Sequence, residues 1–305
     1  MAGFGFELRL DYTLLVGARV AIYQIREDFV MRHWVKASLV VGAMVMGGGL
    51  SDVNAAVSPD STDARAIMDG VFDRNTADNL TANMMMVIQD KSGRKRERML
   101  KVRSKKFGEG TKLLMKFQSP ADVKNTGLLS VDYDSGQKDD DQWLYLPSLH
   151  KSTRIASTQK SGSFMGTDFT FADMTKSDPN EYDFKVVEQS TKAAGEECWL
   201  IESRPKTDKA KRETGYLKSQ AWVSKEKLVV VQSKAWVTAG KRIKLLKFED
   251  IKLLDGIWVV HKLSAMTRKG KTTESTTVMI YSDLKINDTT VAEGDFTQRE
   301  MEKGL

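Results

Sequence analysis

Short segments in which apolar residues alternate with polar ones, or run together, fill most of the chain from residue 80 to residue 282. These segments are rich in Val, Ile, Leu, Met and aromatic residues, and clusters of Gly, Asp, Ser and Lys separate them, as is typical of β-strands joined by turns. Turn signals such as Asp255-Gly256 and Lys269-Gly270 favour antiparallel neighbours in one long meander. The predicted strands are residues 80–90, 94–104, 112–118, 127–133, 142–146, 151–155, 182–189, 198–204, 216–224, 228–237, 242–251, 257–266 and 272–282.

Three further segments have helical character. Residues 63–74 carry apolar side chains at helical spacing, and Thr62 is positioned to cap that helix. Residues 157–183 are too many and too rich in glycine for a hairpin loop, so a short helix or flap is expected near residues 169–174. Residues 292–303 are expected to form a short helical tail.

Several predicted strands are apolar on both faces. Residues 228–231 and 258–261 show no regular alternation, whereas a sheet with one solvated face should alternate. A second sheet, a helical lid or a bound apolar ligand could cover the second face. Because few helices are predicted, we expect a mainly β protein with a single curved antiparallel sheet that forms an incompletely closed β-barrel with a few covering helices. A plain sandwich with a filled core is the alternative.

The N-terminal part of the chain has the pattern of an export signal. Arg32, His33 and Lys36 precede an uncharged apolar stretch, and small residues allow cleavage after Ala55 or Ala56. We therefore expect a signal peptide at residues 31–56 and a single domain at residues 57–305. Residues 1–30 are expected to result from a start codon that was assigned too far upstream. After cleavage the exported protein is expected to be soluble.

Charge and cysteine content narrow the function further. The chain has 47 basic and 41 acidic residues, a net charge of +6, and the two signs are interspersed along the strands. This pattern is typical of solvated strand edges rather than of a nucleic-acid groove. The single cysteine, Cys198, cannot form an internal disulfide and is expected to be buried in a strand.

The sequence lacks the usual arrangements of catalytic or metal-binding residues. His150 and His261 have no partner at metal-ligand spacing, and residues 162–166 match neither a nucleophile elbow nor a phosphate loop. The acidic residues within 132–141 are expected to be a solvated hairpin tip, with a calcium site as the alternative. We therefore predict a protein that is not an enzyme and has no cofactor or metal. A β-rich enzyme acting on glycans or lipids is the minor alternative, and it would place clustered carboxylates in a cleft.

Residues 142–174 carry a resemblance to a known family. The strand-like 143–147 (WLYLP), Lys151, Arg154 and the segment 162–169 (GSFMGTDF) resemble the LolA-like outer-membrane lipoprotein-sorting family, in its longer and divergent branch. The resemblance implies an incompletely closed antiparallel barrel in the periplasm, with helices over its mouth and an apolar cavity inside. It also implies lipoprotein acyl chains or another lipid as cargo, and an inner-membrane export complex and an outer-membrane acceptor as partners.

The interpretation as a lipid-binding protein leads to a set of candidate site residues. The apolar cavity or gate candidates are Met84, Met86, Trp143, Tyr145, Leu146, Phe164, Met165, Phe169 and Phe171. The two methionines share one face of a strand, where flexible thioether side chains suit variable cargo, although they could equally be core residues. The four residues from the glycine-flanked segment could form a movable gate or a fixed plug. Lys151 and Arg154 could contact an acidic partner or a phosphate headgroup, or could lie on a solvated strand face.

The sequence thus predicts a periplasmic carrier of lipid or lipoprotein acyl chains between inner-membrane export machinery and the outer membrane. Membrane contact would be transient, and nucleic acid is not expected as a partner. The alternative is a non-catalytic envelope scaffold or a protein-binding β domain that pairs through its sheet edges.

Overall fold

The computed structural model describes residues 57–134 and 138–303. The predicted upstream start, the signal peptide and the cleavage position lie outside these residues. The helices are α1 (Ala64–Asp73), α2 (Asp208–Thr214) and α3 (Gln298–Glu302). The strands are β1 (Asn79–Asp90), β2 (Lys95–Phe107), β3 (Gly110–Ser119), β4 (Gly127–Tyr133), β5 (Asp141–Leu146), β6 (Lys151–Arg154), β7 (Tyr182–Ala193), β8 (Glu196–Pro205), β9 (Tyr216–Ser224), β10 (Val230–Val237), β11 (Arg242–Leu254), β12 (Ile257–Lys269) and β13 (Thr272–Ile286).

All 13 strands belong to one antiparallel sheet, and each overlaps a strand predicted from the sequence. The sheet differs from a single meander in its order, because β13 pairs with β1 and joins the meander β1–β6 to the meander β7–β13. Strands β6 and β7 are therefore the two edges, although they follow each other in the chain. The long connection at residues 155–181 must run from one edge of the sheet to the other.

The helices agree with the sequence pattern except in two details. Helix α1 is capped by Asp63 and not by Thr62, since the Asp63 carboxylate accepts hydrogen bonds from the N–H groups of Arg65 (2.9 Å) and Ala66 (3.1 Å). Helix α2 was not predicted, because its seven residues are mostly charged and show little apolar periodicity. Its caps were nevertheless visible in the sequence. Thr207 accepts from the N–H of Ala210 at 3.0 Å, and a left-handed glycine ends the helix.

The sheet is strongly curled. The carbonyl oxygen of Phe171 accepts a hydrogen bond from Gln142 on β5 at 2.9 Å, and the carboxylate of Asp173 accepts one from Tyr216 on β9 at 2.8 Å. In a flat sheet β5 and β9 would lie roughly 40 Å apart, at about 4.8 Å per strand. Two residues of backbone span only about 7 Å. The sheet must therefore wrap around residues 171–173, and the expected incompletely closed barrel is confirmed.

Both faces of the sheet are covered in part. Inside the curl, side chains from β1, β2, β3 and β13 form one apolar core with residues of the 155–181 connection. Helix α1 packs on β8 and β9 in a second cluster that includes the fully buried Trp199. The C-terminal segment with α3 covers the outer face of β3, β4 and β5. Within the described residues, no helix is long and apolar enough to span a membrane.

Candidate functional site

Residues 160–176, here called the flap, lie inside the curled sheet and form the centre of the candidate site. The flap folds back on itself, since the N–H of Phe164 donates to the carbonyl oxygen of Phe169 at 2.8 Å. Met165 and Gly166 occupy this tight turn with φ angles of 51° and 73°. The left-handed conformation is inexpensive for glycine, which explains a glycine at the second position.

Asp168 attaches the flap to the floor of the sheet. Its carboxylate is buried and accepts hydrogen bonds from the hydroxyl groups of Thr267 on β12 and of Ser275 and Thr277 on β13. Hydrogen bonds to a carboxylate are stronger than bonds between neutral groups. Three strand hydroxyls thus compensate the buried charge and hold the flap in place.

A second attachment involves Arg98 on β2. Its guanidinium donates to the carbonyl oxygen of Met165 at 2.7 Å and lies 5.7 Å from the ring centre of Phe117. Burial lowers the pKa of Arg98, with the neighbouring Arg96 adding to the effect. The cost of desolvating this cation is offset in part by the bond to the flap.

The third attachment is a buried ion pair. The ammonium group of Lys244 on β11 lies 2.9 Å from the carboxylate of Asp173, and the two side chains are 5% and 15% exposed. The hydroxyl of Tyr216 also donates to Asp173, and burial together with this carboxylate raises the pKa of Tyr216 well above its ordinary value. The flap is therefore tied to strands on both sides of the curl.

Two largely apolar cavities adjoin the flap. The first has a volume of about 460 Å³ and the second about 300 Å³. Phe169, Asp173, Thr175 and Leu263 line both cavities, so that the flap separates them. The first cavity is lined by Val102, Met115, Met174, Trp258, Met279 and Tyr281, among others. The second is lined by Met68, Phe72, Phe184, Ala221, Leu246 and Phe248, among others.

Polar groups occur at the wall of the first cavity where α1 ends. Arg74 donates to the carbonyl oxygen of Trp258 at 3.1 Å, and burial lowers the pKa of its guanidinium. Lys106 lines the same cavity and donates to the carbonyl oxygen of Thr76 at 2.7 Å. Basic groups thus lie beside an interior that is otherwise mostly apolar.

The structure brings together four of the residues predicted from the glycine-flanked segment. Phe164 and Phe169 are buried in the core inside the curl, and Met165 and Phe171 pack against the same core. The rings of Phe164 and Phe171 meet edge to face at 5.7 Å. Of these four, Phe169 lines both cavities.

The other apolar candidates lie elsewhere in the sheet. Met84 and Met86 are fully buried in the core inside the curl, and neither lines the two cavities. Trp143 and Tyr145 belong to the cluster on the outer face, under the C-terminal segment. Leu146 follows Tyr145 on β5 and so points to the opposite face.

Lys151 and Arg154 lie on the edge strand β6, and both are exposed. Arg154 forms an ion pair with Asp141 on the neighbouring strand. Neither residue belongs to the core that contains the flap, and neither lines the two cavities. A solvated strand face, one of the readings left open by the sequence, describes their positions.

Several residues that line the cavities were not predicted from the sequence. Leu263 and Trp258 lie on a strand whose apolar run gave no indication of which side faces a cavity. Phe72 and Met68 were recognised as part of the apolar face of a helix. The sequence did not indicate that this face lines a cavity, which it does in the structure. Cys198 was predicted to be a buried strand residue, and this is confirmed.

The curled antiparallel sheet resembles the solved structures of LolA-like proteins. A structure from Vibrio parahaemolyticus, whose name assigns it to outer membrane lipoprotein sorting, is similar with a TM-score of 0.70 and 28% identity, over 79% of this chain and 98% of that one. A DUF1329 family protein from Desulfovibrio piger is similar with a TM-score of 0.68 and 28% identity, over 79% and 97%. A LolA superfamily protein from Nitrosomonas europaea has a TM-score of 0.58 at 16% identity, over 79% and 100%, and shares the fold.

The family assignment follows from the sequence match. A family model described as an uncharacterized protein family matches residues 109–303, and the chain belongs to this family. The resemblance to LolA-like lipoprotein-sorting proteins expected from residues 142–174 is confirmed. No curated protein matches the chain.

Proposed function

We propose that this protein is a periplasmic, non-enzymatic carrier that binds the acyl chains of a lipid or lipoprotein in the two cavities beside the flap. The carrier moves this cargo between inner-membrane export machinery and the outer membrane. The single observation that carries the proposal is the pair of apolar cavities, about 460 and 300 Å³, inside a curled sheet. Their volumes fall in or near the range of about 300–1,000 Å³ typical of small-molecule sites.

The energetics of the proposal rest on apolar burial. Each methylene group that leaves water stabilises the bound state by about 0.8 kcal/mol, so that even a partly sheltered acyl chain is held by several kcal/mol. Met115, Met174 and Met279 line the first cavity, and flexible thioether side chains adapt to chains of different shape. Cargo can therefore be held without a single specific polar contact.

The flap is the element that would move. Asp168, Arg98 and Lys244 attach it to three different regions of the sheet through polar bonds, whereas its apolar side chains separate the two cavities. These attachments can be exchanged for bonds to water or to partner groups, because a hydrogen bond to a charged group contributes only about 1.5–3 kcal/mol net. Displacement of the flap would join the cavities into one longer channel.

A cavity-filling substitution tests the proposal. Leu263→Trp adds bulk where both cavities meet, and we expect it to weaken binding of a fluorescent fatty acyl probe by about tenfold or more. Leu253→Trp is the matched control, since Leu253 is 54% exposed on the neighbouring strand. The control should bind the probe as the unchanged protein does.

Native mass spectrometry of protein purified from its envelope supplies the second arm. We expect a lipid mass adduct that is reduced in the Leu263→Trp variant. If the unchanged protein carries no adduct and binds no acyl probe, the carrier proposal is overturned. A scaffold that pairs through the edges β6 and β7 would then be the remaining reading.

A further inference from the structure

A third pocket of about 140 Å³ lies beside the flap and is predominantly acidic. Seven carboxylates line the pocket, among them those of Asp132, Asp140, Glu181 and Glu213, together with four lysines, Lys138, Lys160, Lys176 and Lys209. Lys160 is buried, and Lys209 forms an ion pair with Asp139. From the sequence, the acidic residues within 132–141 were expected to form a solvated hairpin tip. The structure instead folds it against the flap, so that Asp132 is only 8% exposed.

The pocket has an excess of negative charge, because its carboxylates outnumber its lysines. Burial raises the pKa of Asp132 to about 7, with repulsion from Asp140 adding to it. Burial also raises the pKa of Asp140 and of Glu181, and repulsion from Glu213 contributes at both sites. A bound cation would relieve this repulsion.

One carboxylate oxygen among the described residues of the pocket lacks a partner. Oδ1 of Asp132 is buried and accepts no hydrogen bond, whereas Oε1 of Glu213, which also accepts no hydrogen bond, lies 4.0 Å from the ammonium group of Lys209. The other oxygen of Asp132 accepts the N–H of Lys176 at 3.3 Å, which fixes the orientation of its carboxylate. Buried acceptors without donors are rare, and a bound cation or a water molecule would supply the missing hydrogen bond.

The geometry favours an ammonium group over a metal ion. In the described part of the chain, no group of three or more His, Cys, Asp or Glu side chains is spaced to hold a metal. An ammonium group donates three hydrogen bonds and does not require a closed shell of oxygen ligands. The volume of the pocket is also sufficient for an amine with a short stem.

The acidic pocket adjoins both apolar cavities. It shares Asp132, Thr175 and Lys176 with the wall of the first cavity, and Thr175, Ser177 and Tyr182 with the wall of the second. A ligand that fills a cavity with its hydrocarbon chain would therefore have its polar end close to this pocket.

We propose that the acidic pocket binds the primary ammonium headgroup of an amine-bearing lipid whose hydrocarbon chain occupies an adjoining cavity. This inference rests on the proposed carrier function and specifies its cargo class. The net charge of +6 on the whole chain disfavours unspecific attraction of cations, so a preference for an amine would arise locally.

Binding of dodecylamine, dodecanol and dodecanoate tests the proposal. It is measured by calorimetry, below the micelle concentrations of the two charged probes and below the solubility limit of dodecanol. The three probes share one hydrocarbon chain, and the amine is charged near neutral pH. We expect the amine to bind at least about tenfold more tightly than the alcohol, because a charge-assisted hydrogen bond replaces a neutral one. If the alcohol and the amine bind equally, the headgroup pocket is overturned while the carrier proposal stands. If none of the three binds, the carrier proposal itself fails.

Variants of the acidic pocket show where the preference for the amine arises. Glu213→Gln and Asp140→Asn should bring the ratio of amine to alcohol affinity close to one, whereas Asp208→Asn, which removes an exposed acid from the same helix as Glu213, should leave the ratio unchanged. Because the ratio is measured within one variant, a partly destabilised protein still gives an answer. Equal ratios in all variants would overturn the assignment to this pocket.

Competition experiments distinguish the source of the cation. Free ethanolamine should compete only weakly, and calcium chloride should displace dodecylamine no better than sodium chloride at the same ionic strength. Tight binding of ethanolamine alone would replace the lipid by a soluble amine. Selective displacement by calcium would identify a metal site, and either result would overturn the proposal.

Discussion

Thr277 on β13 bonds to Asp168 of the flap in both directions. Its hydroxyl group donates to the Asp168 carboxylate at 2.8 Å and accepts the Asp168 backbone N–H at 3.0 Å. One fully buried strand residue thus fixes both the side chain and the main chain of the flap at the same point. These two bonds are directional, whereas the apolar contacts of the flap are not, so we expect the contact with Thr277 to define the position of the flap at this point.

Replacement of Thr277 tests that dependence. Thr277→Val keeps the shape of the side chain but leaves a buried carboxylate oxygen and a backbone N–H short of partners, so we expect a loss of about 1–3 kcal/mol in the free energy of unfolding. Urea denaturation measures the loss. Thr276→Val on the same strand is the control, because its side chain points to the other face and is less buried. Equal effects of the two substitutions would contradict a specific role for Thr277.

Arg98 should control the mobility of the flap. Arg98→Gln removes the 2.7 Å bond to the carbonyl oxygen of Met165, and we expect faster amide hydrogen exchange in residues 160–176 without a comparable change in β1. The control is Arg103→Gln, since Arg103 is exposed on the same strand and faces Asp295 at 3.8 Å. Exchange in the flap that is the same in both variants would show that Arg98 does not hold it.

The ion pair between Lys244 and Asp173 gives a third prediction. Lys244→Met leaves a buried carboxylate without its cation and should cost about 3–5 kcal/mol in the free energy of unfolding. The double variant with Asp173→Asn should recover part of this loss, since the charge is then removed. Lys247→Met, at an exposed position of the same strand, should change stability little. Chemical denaturation of these variants decides the matter, and a loss in the double variant as large as in Lys244→Met would argue against charge as the cause.

The pKa of Asp132 predicts a pH dependence of stability. Burial raises this pKa from 3.8 to about 7, so the folded protein retains a proton that the unfolded chain releases across this window. Stability should therefore fall as pH rises from about 4 to about 7, by at most about 1.4 kcal/mol per pH unit from this group, and then level off. Thermal unfolding across this range should show a shallower slope for Asp132→Asn. Parallel pH profiles of the two proteins would contradict the assignment.

Local sequence patterns were sufficient for the strands but not for their order in the sheet. Residues 80–90 and 272–282 were both recognised as strands, yet nothing in either segment indicates that β1 and β13 pair, because the partner lies nearly 200 positions away in the chain. The flap was recognised by its glycines and its length, whereas its attachment through Asp168 depends on hydroxyl groups that are unremarkable in sequence. Helix α2 was missed because its surface is mostly charged and its caps were the main signal.

In the candidate site, too, some residues were predicted from local sequence and others were not. Phe169 was selected because it follows a glycine-rich turn, and it does line the cavities. Trp143 was a candidate because it belongs to the strand-like segment 143–147. Alternation along β5 cannot tell which face is inside, and the structure places Trp143 under the C-terminal segment. Leu263 has an ordinary sequence context and became a cavity residue only through the curl of the sheet.

The sequence by itself determined the antiparallel β class, the number and approximate limits of the strands, the length of the flap and the resemblance to LolA-like proteins. These properties depend on residues that are close in the chain, where periodicity, turns and caps act directly. The tertiary structure alone decided the pairing of β13 with β1, the degree of curl, the faces that line the cavities and the burial of the acidic pocket. Those features arise from contacts between distant residues, and their cost or gain in free energy exists only once the sheet has closed around the flap.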